Sequence, residues 1–111
     1  MVTGMGTVNG IGKNLQESWS NVLKHKTGVK KMSFPGFRGQ LGCPIVEDFD
    51  YDAHETPIGK FKVYSVANAM CDEALADAGI DTKTMDIDRD RFGIQLTSIY
   101  GTEEQREHTL R

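Results

Sequence analysis

The first stretch that could do chemistry is a run of glycines, Gly4-x-Gly6-x-x-x-Gly10, between a predicted strand end and a predicted helix. Such a turn can present backbone amides and the positive end of a helix dipole to a pyrophosphate. The dinucleotide fingerprint has its last glycine one residue closer, and the acidic residue expected about 20 positions later is missing. Lys13 is followed by Asn14 and not by the Ser or Thr of a phosphate loop. We interpret the run as a tight turn, with nucleotide binding as the alternative.

Cysteine and histidine are scattered singly, at Cys43, Cys71, His25, His54 and His108. Metal ligands usually occur in closely spaced pairs, so this pattern predicts no metal site. A Cys–His nucleophile pair stays open. However, Cys71 falls within an apolar helical stripe and Cys43 has no identifiable base beside it, whereas a reactive thiol needs a lowered pKa and access. We expect surface or core roles for both thiols.

Three aspartates alternate at Asp86, Asp88 and Asp90, as they do at the start of a calcium-binding loop. Such a loop also needs a glycine and a terminal glutamate at fixed offsets, and neither stands there. We therefore interpret this stretch as a solvated acidic linker.

Composition excludes several classes of protein. The 111 residues carry 13 Lys plus Arg against 16 Asp plus Glu, so the net charge of −3 gives no electrostatic case for binding nucleic acid or an anionic membrane. An apolar fraction of 38% with 12 glycines fits a loop-rich piece of an α/β protein. Apolar runs fall far short of the roughly 20 residues that cross a bilayer, and no secretory signal opens the chain. Two cysteines make no disulfide framework, so we expect a reducing, cytoplasmic compartment.

A strand end at Val2-Thr3 and then a helix are predicted to flank the glycines. Asn14 is the expected N-cap, Glu17 its capping-box partner and Gly28 the end of the helix. The expected apolar face comprises Leu15, Trp19, Val22 and Leu23.

The stretch from Val63 to Gly79 is the second predicted helix, the element around which the chain is organised. Its apolar residues recur at three- and four-residue steps, and Gly79 supplies the left-handed residue that ends many helices. Residues 29–58 are predicted to be an irregular loop, with a short strand at Ile45-Val46 and one helical turn within residues 50–55. A polar connection and a last strand follow, the strand marked by Phe92, Ile94, Leu96 and Ile99.

Six segments also carry a resemblance to a known family. They are VTGMG at 2–6, Trp19 and Leu23 with TGV at 27–29, VEDFD at 46–50, KF at 60–61 with Tyr64, EALADAG at 73–79 and RFGI at 91–94. Together, in order and at plausible spacing, they resemble the N-terminal part of the elongating β-ketoacyl-acyl carrier protein synthases. The first and third segments, for example, are similar to that family's VTGLG and VKDFD.

The resemblance implies an incomplete α/β fold: the N-terminal portion of a thiolase-like layered fold (strand, helix, long loop, helix, strand), with residues 1–111 forming part of one domain. Members usually form homodimers and elongate fatty acids by decarboxylative Claisen condensation. In them a Cys takes the acyl chain from acyl carrier protein, and two His residues assist decarboxylation of malonyl-acyl carrier protein. The implied partners of the parent enzyme are therefore acyl carrier protein and acyl or malonyl thioesters, with no cofactor.

No catalytic residue carries over from that family to this chain. The family's nucleophile and histidine motifs lie beyond Arg111, and its opening strand starts before Met1. Its Gly-Ser-Gly-Ile-Gly segment reads TSIYG at residues 97–101, which puts Tyr100 where an apolar residue gates the acyl-chain pocket. A larger side chain there is expected to shorten the accepted chain. Simple packing of Tyr100 in a loop is the alternative.

These observations predict an N-terminal fragment of such a synthase, or a truncated homologue, that is inactive alone because the covalent nucleophile is missing. A short non-catalytic homologue that docks on a full-length synthase or carrier protein is the second hypothesis. A small nucleotide-binding domain is the third. The sequence determines neither the acyl-chain length nor the choice between fatty-acid and polyketide synthesis.

Overall fold

A computed structural model describes residues 1–34, 37–54 and 61–98. Within this part, two helices and one two-stranded sheet occur in the order α1 (Leu15–Leu23), β1 (Lys30–Phe34), β2 (Phe37–Gly42) and α2 (Lys62–Asp77). Short 3₁₀ turns lie at Asp52–His54 and Arg89–Arg91, the first within the helical turn predicted for residues 50–55. The architecture is therefore a small mixture of helix and sheet.

Helix α1 begins as the sequence predicts and ends earlier. Asn14 is extended, and its side-chain oxygen accepts a hydrogen bond from Glu17 N at 2.8 Å, which confirms the N-cap. The helix ends at Leu23, and His25 takes the positive φ of 55° that reverses the chain. Histidine is among the residues that tolerate this conformation. Gly28 serves another purpose, because a Cβ there would lie 2.6 Å from the carbonyl carbon of Gly10.

Helix α2 covers most of the predicted stretch. Gly79 has a φ of +71°, and its N–H donates to Ala76 O at 3.0 Å. Ile80 N donates to Leu75 O at 2.9 Å. These two bonds form a Schellman motif, so the predicted glycine ending of this helix is confirmed.

The strands are where the sequence prediction was wrong. Residues 29–58 were expected to be irregular, yet β1 and β2 pair antiparallel with Lys30 opposite Gly42 and Met32 opposite Gln40. The Pro35-Gly36 dipeptide between them is a turn signal in the sequence. Conversely, residues 1–9, 43–46 and 92–98 have no strand; Ile99 lies outside the described residues. A strand needs a partner for its backbone groups, and the described residues offer these segments none.

Helix α1 turns its apolar face outward, contrary to the burial that its pattern predicts. Trp19, Val22 and Leu23 are 61%, 46% and 62% exposed, whereas Ser18 on another side of the helix is 6% exposed. Among the described residues, the buried hydrophobic ones are Phe49 and Ala69. The core is therefore very small, and the apolar stripe of α1 lies uncovered by the described part of the chain.

Candidate functional site

The glycine segment, residues 4–12, lies along α2 and leads into the N-terminus of α1. Its first glycines allow a close approach between backbones. A Cβ on Gly4 would lie 2.6 Å from Ala78 N, and one on Gly6 would lie 3.0 Å from Ala74 N. These glycines are therefore required by packing against the helix. The predicted tight turn does not occur at Gly4 and Gly6, because residues 1–9 form no turn and the chain first bends at Gly10.

Two carboxylates of α2 hold the glycine segment in place. The Glu73 side chain accepts hydrogen bonds from Thr7 N at 2.9 Å and from Leu15 N at 2.7 Å, and Asp77 accepts one from Met5 N at 2.9 Å. Leu15 is the first residue of α1, where the helix dipole favours a negative charge. The amides that a phosphate would need thus bind the chain's own carboxylates, which disfavours nucleotide binding at this turn.

Asn9 connects the glycine segment to α1 and to the chain beyond β2. Its side-chain nitrogen donates to Ser18 Oγ at 2.9 Å, and its side-chain oxygen accepts from Ile11 N at 2.9 Å. Its backbone carbonyl accepts from Val46 N at 3.2 Å. Sequence reasoning missed this residue; the Asn9-Gly10 pair was the available turn signal.

The VEDFD segment, residues 46–50, is held by two exposed ion pairs. Asp48 pairs with Lys13 at 2.8 Å and Glu47 with Lys30 at 2.6 Å. The hydrogen bond from Lys13 lowers the pKa of the Asp48 carboxyl and in return raises the pKa of the Lys13 ammonium. The hydrogen bond from Lys30 lowers the pKa of Glu47. These charges tie the VEDFD segment to Lys13, just before α1, and to the first residue of β1.

Phe49 anchors the VEDFD segment in the small core. Its ring meets Tyr51 edge to face at 4.9 Å and stacks on His54 at 5.7 Å. Lys62, at the start of α2, lies 5.4 Å from the centre of the Tyr51 ring. Asp50 caps the following turn, because its side chain accepts from Asp52 N at 3.1 Å. This segment therefore stabilises the fold and holds no reactive constellation.

The sulfur and imidazole groups are not brought together within the described residues. Cys43 and Cys71 are both free and exposed, and neither thiol hydrogen-bonds to His25 or His54. The Cys43 sulfur packs close to Gly28, since a Cβ on Gly28 would lie 3.0 Å from it. His108 lies outside the described residues.

The alternating aspartates and Tyr100 complete the predicted sites. Asp88 accepts a hydrogen bond from Asp90 N at 3.2 Å and caps the second 3₁₀ turn. Residues 1–34, 37–54 and 61–98 contain no group of three His, Cys, Asp or Glu that could hold a metal ion. Tyr100, the acyl-pocket candidate, lies outside the described part.

No helix in the described part combines the length and apolar character that a membrane span requires.

An open groove lies between α1 and α2. Its volume is about 810 Å³. Apolar side chains of Met5, Leu15 and Trp19 line it, and Glu73 and Asp77 lie among them. Met5 is 55% exposed, so the groove continues the uncovered stripe of α1. It offers shape and apolar contact but no nucleophile.

Comparisons with known proteins point to one enzyme. The chain is 28% identical over 114 aligned positions to "3-oxoacyl-[acyl-carrier-protein] synthase 2" of Staphylococcus aureus strain N315, and equally to that of strain Mu50 / ATCC 700699. The alignment covers 96% of this chain and 27% of each relative, so the chain spans about a quarter of their length. No protein-family model and no solved structure matches significantly. These matches support a distant relationship between this chain and the 3-oxoacyl synthases, whose other name is β-ketoacyl synthases.

Proposed function

We propose that this chain is the N-terminal piece of a β-ketoacyl-acyl carrier protein synthase, or a truncated homologue of one. The alignment is the observation that carries the proposal, because a single alignment covers 96% of this chain and 27% of the synthase. In this proposal the whole enzyme is a homodimer that condenses acyl groups with malonyl-acyl carrier protein and needs no cofactor.

The uncovered surfaces of the described residues support an incomplete fold. Trp19, Leu23, Leu41, Ile94 and Leu96 are each more than 60% exposed. Of these, Trp19 and Leu23 lie one turn apart on α1, and a continuous exposed apolar surface usually marks a missing partner. A thiolase-like domain with further strands and helices would supply that partner.

The chain alone is proposed to be inactive. A covalent acyl intermediate needs an activated nucleophile with a base in reach, and the described thiols have no such base. To test this, the purified chain is incubated with labelled acyl-acyl carrier protein and analysed by intact mass. We expect no acyl adduct. Acyl transfer that disappears in Cys43→Ala or Cys71→Ala would overturn the proposal.

Tyr100 is proposed to line the acyl pocket of the whole enzyme. The test replaces Tyr100 with Ala in a full-length synthase that carries this sequence as its N-terminal part. We expect the variant to accept longer acyl chains than the parent, because a large side chain limits the depth of a pocket. An unchanged chain-length profile would support packing in a loop.

A non-catalytic docking protein is the second candidate, and the open groove at Trp19 favours it. In this case the chain would bind a full-length synthase or carrier protein through an apolar face. Native co-purification with either, from cells in which the reading frame ends at Arg111, would distinguish it from a fragment of a longer enzyme.

A further inference from the structure

Asn9 precedes Gly10, and the chain has no other Asn-Gly pair. In such a pair the backbone nitrogen of the glycine can attack the side-chain amide carbon of the asparagine, since no side chain on the glycine obstructs the approach. Asparagine is for this reason one of the chemically labile residues. The other asparagines, Asn14, Asn21 and Asn68, precede Leu, Val and Ala.

The fold prepares this pair for reaction. Ile11 N–H donates to the Asn9 side-chain oxygen at 2.9 Å. Negative charge grows on that oxygen as the nitrogen attacks, so this donor stabilises the tetrahedral intermediate as an oxyanion hole does. Gly10 N–H makes no hydrogen bond within the described residues, so the attack breaks none. Both residues are only half-buried, which admits water.

We propose that Asn9 is a site of spontaneous deamidation whose product loosens the glycine segment from α1. The Gly10 nitrogen loses its proton to water and forms a bond to the Asn9 amide carbon. The bond from that carbon to the side-chain nitrogen breaks, and the nitrogen takes up a proton and leaves as ammonia. Water then opens the cyclic imide at either carbonyl and gives aspartate or isoaspartate. The inference stands independently of the proposed function.

The product removes a donor that the fold uses. The Asn9 side-chain nitrogen donates to Ser18 Oγ at 2.9 Å, and the Ser18 hydroxyl already donates to Asn14 O at 2.7 Å. A carboxylate has no proton to give, so two acceptors would face each other beside a buried serine. In isoaspartate the backbone runs through the former side-chain carbon, so the main-chain carbonyl that accepts from Val46 N becomes a free carboxylate beside a lengthened backbone.

The first experiment measures the reaction. The full chain is incubated at mildly alkaline pH and physiological temperature, folded and in denaturant, and its peptides are mapped for the mass gain of deamidation and for isoaspartate. We expect modification of the folded chain at Asn9 well before Asn14, Asn21 or Asn68. A folded chain intact at Asn9, whether or not the denatured chain reacts there, would overturn the proposal.

The second experiment measures the consequence with a matched pair of variants. Asn9→Asp and Asn14→Asp add the same charge, but Asn14 uses its side-chain oxygen as an acceptor, which aspartate retains. We expect Asn9→Asp to lower the Tm by several degrees and Asn14→Asp to leave it unchanged or raised. Should Asn9→Asp fail to fold, hydrogen exchange of the modified fraction of the incubated wild type replaces it. The proposed loosening would be contradicted if the amides of α1 exchanged equally slowly in the modified and unmodified chains. Equal Tm values for Asn9→Asp and Asn14→Asp would also contradict it.

Discussion

At the scale of single residues, Glu73 joins three parts of the chain. Its carboxylate accepts backbone N–H groups from Thr7 in the glycine segment and from Leu15 at the start of α1. A glutamate on a helix is usually solvated. The partners of Glu73 are 66 and 58 positions away in the sequence, so no local pattern could reveal them.

Glu73→Ala is expected to lower the free energy of unfolding by about 1.5–3 kcal/mol, because two backbone donors lose a charged acceptor. Asp72→Ala is the matched control, since Asp72 is exposed and has no hydrogen bond within the described residues. Urea denaturation followed by circular dichroism measures both variants. Equal losses in the two would contradict the bridging role of Glu73.

The pKa of Asp48 provides a prediction about pH. The hydrogen bond from Lys13 lowers this pKa in the folded chain. The ion pair therefore stabilises the fold above the ordinary pKa of an aspartate, and this contribution is lost as the pH falls through the lowered value. We expect Lys13→Met to raise the Asp48 pKa to its ordinary range in a carboxyl NMR titration. Lys31→Met, which removes an equal charge from β1, should leave the Asp48 pKa lowered. A larger rise of the Asp48 pKa in Lys31→Met than in Lys13→Met would refute the pairing of Lys13 with Asp48.

At the scale of elements, α1 shows how a helix can be predicted while its orientation is not. Its N-cap is a contact between residues three positions apart, and the sequence displays it. Its inward side carries the buried Ser18, whose hydroxyl oxygen accepts a hydrogen bond from the Asn9 side chain. A hydrophobic pattern assumes that a partner covers the apolar side, and the described residues provide none.

Ser18→Leu is expected to lower the free energy of unfolding by about 1–3 kcal/mol, because it overfills a buried position. Leu23→Lys on the exposed side should change it by less than about 0.5 kcal/mol. Thermal melts of both variants measure the contrast. Greater damage from Leu23→Lys would show that the apolar face is inside.

The docking of the glycine segment on α2 can be tested with a pair of glycines. Gly6→Ala is expected to destabilise the chain by about 1–3 kcal/mol, because its Cβ would lie 3.0 Å from Ala74 N. Gly93→Ala is the control, since nothing lies within 4 Å of a Cβ there. Similar urea midpoints for the two variants would exclude the close approach.

At the scale of the whole molecule, the described residues bury two hydrophobic side chains, Phe49 and Ala69. Net stability depends mainly on apolar surface removed from water. Hydrogen bonds accepted by Glu73 and Asp77 and those made by Asn9 hold the segments in register, but they cannot replace a core. A very small apolar core combined with hydrogen bonds between distant segments is what an incomplete domain would show.

We therefore expect the isolated chain to be dimeric or aggregation-prone. In any monomer that remains, acrylamide should readily quench the fluorescence of Trp19, the single tryptophan. Light scattering after size exclusion measures the first property and fluorescence the second. A soluble monomer that melts sharply would count against the fragment proposal.

The sequence by itself determined the local features of this protein. The cap at Asn14, the glycine ending of α2 and the turn near Asp52 each depend on residues a few positions apart. The tertiary structure alone decided which side of α1 faces inward, and that the amides of the glycine segment bind Glu73 and Asp77. It also left three predicted segments without strands. The reason is that these features depend on partners far along the chain, whose positions no local pattern specifies.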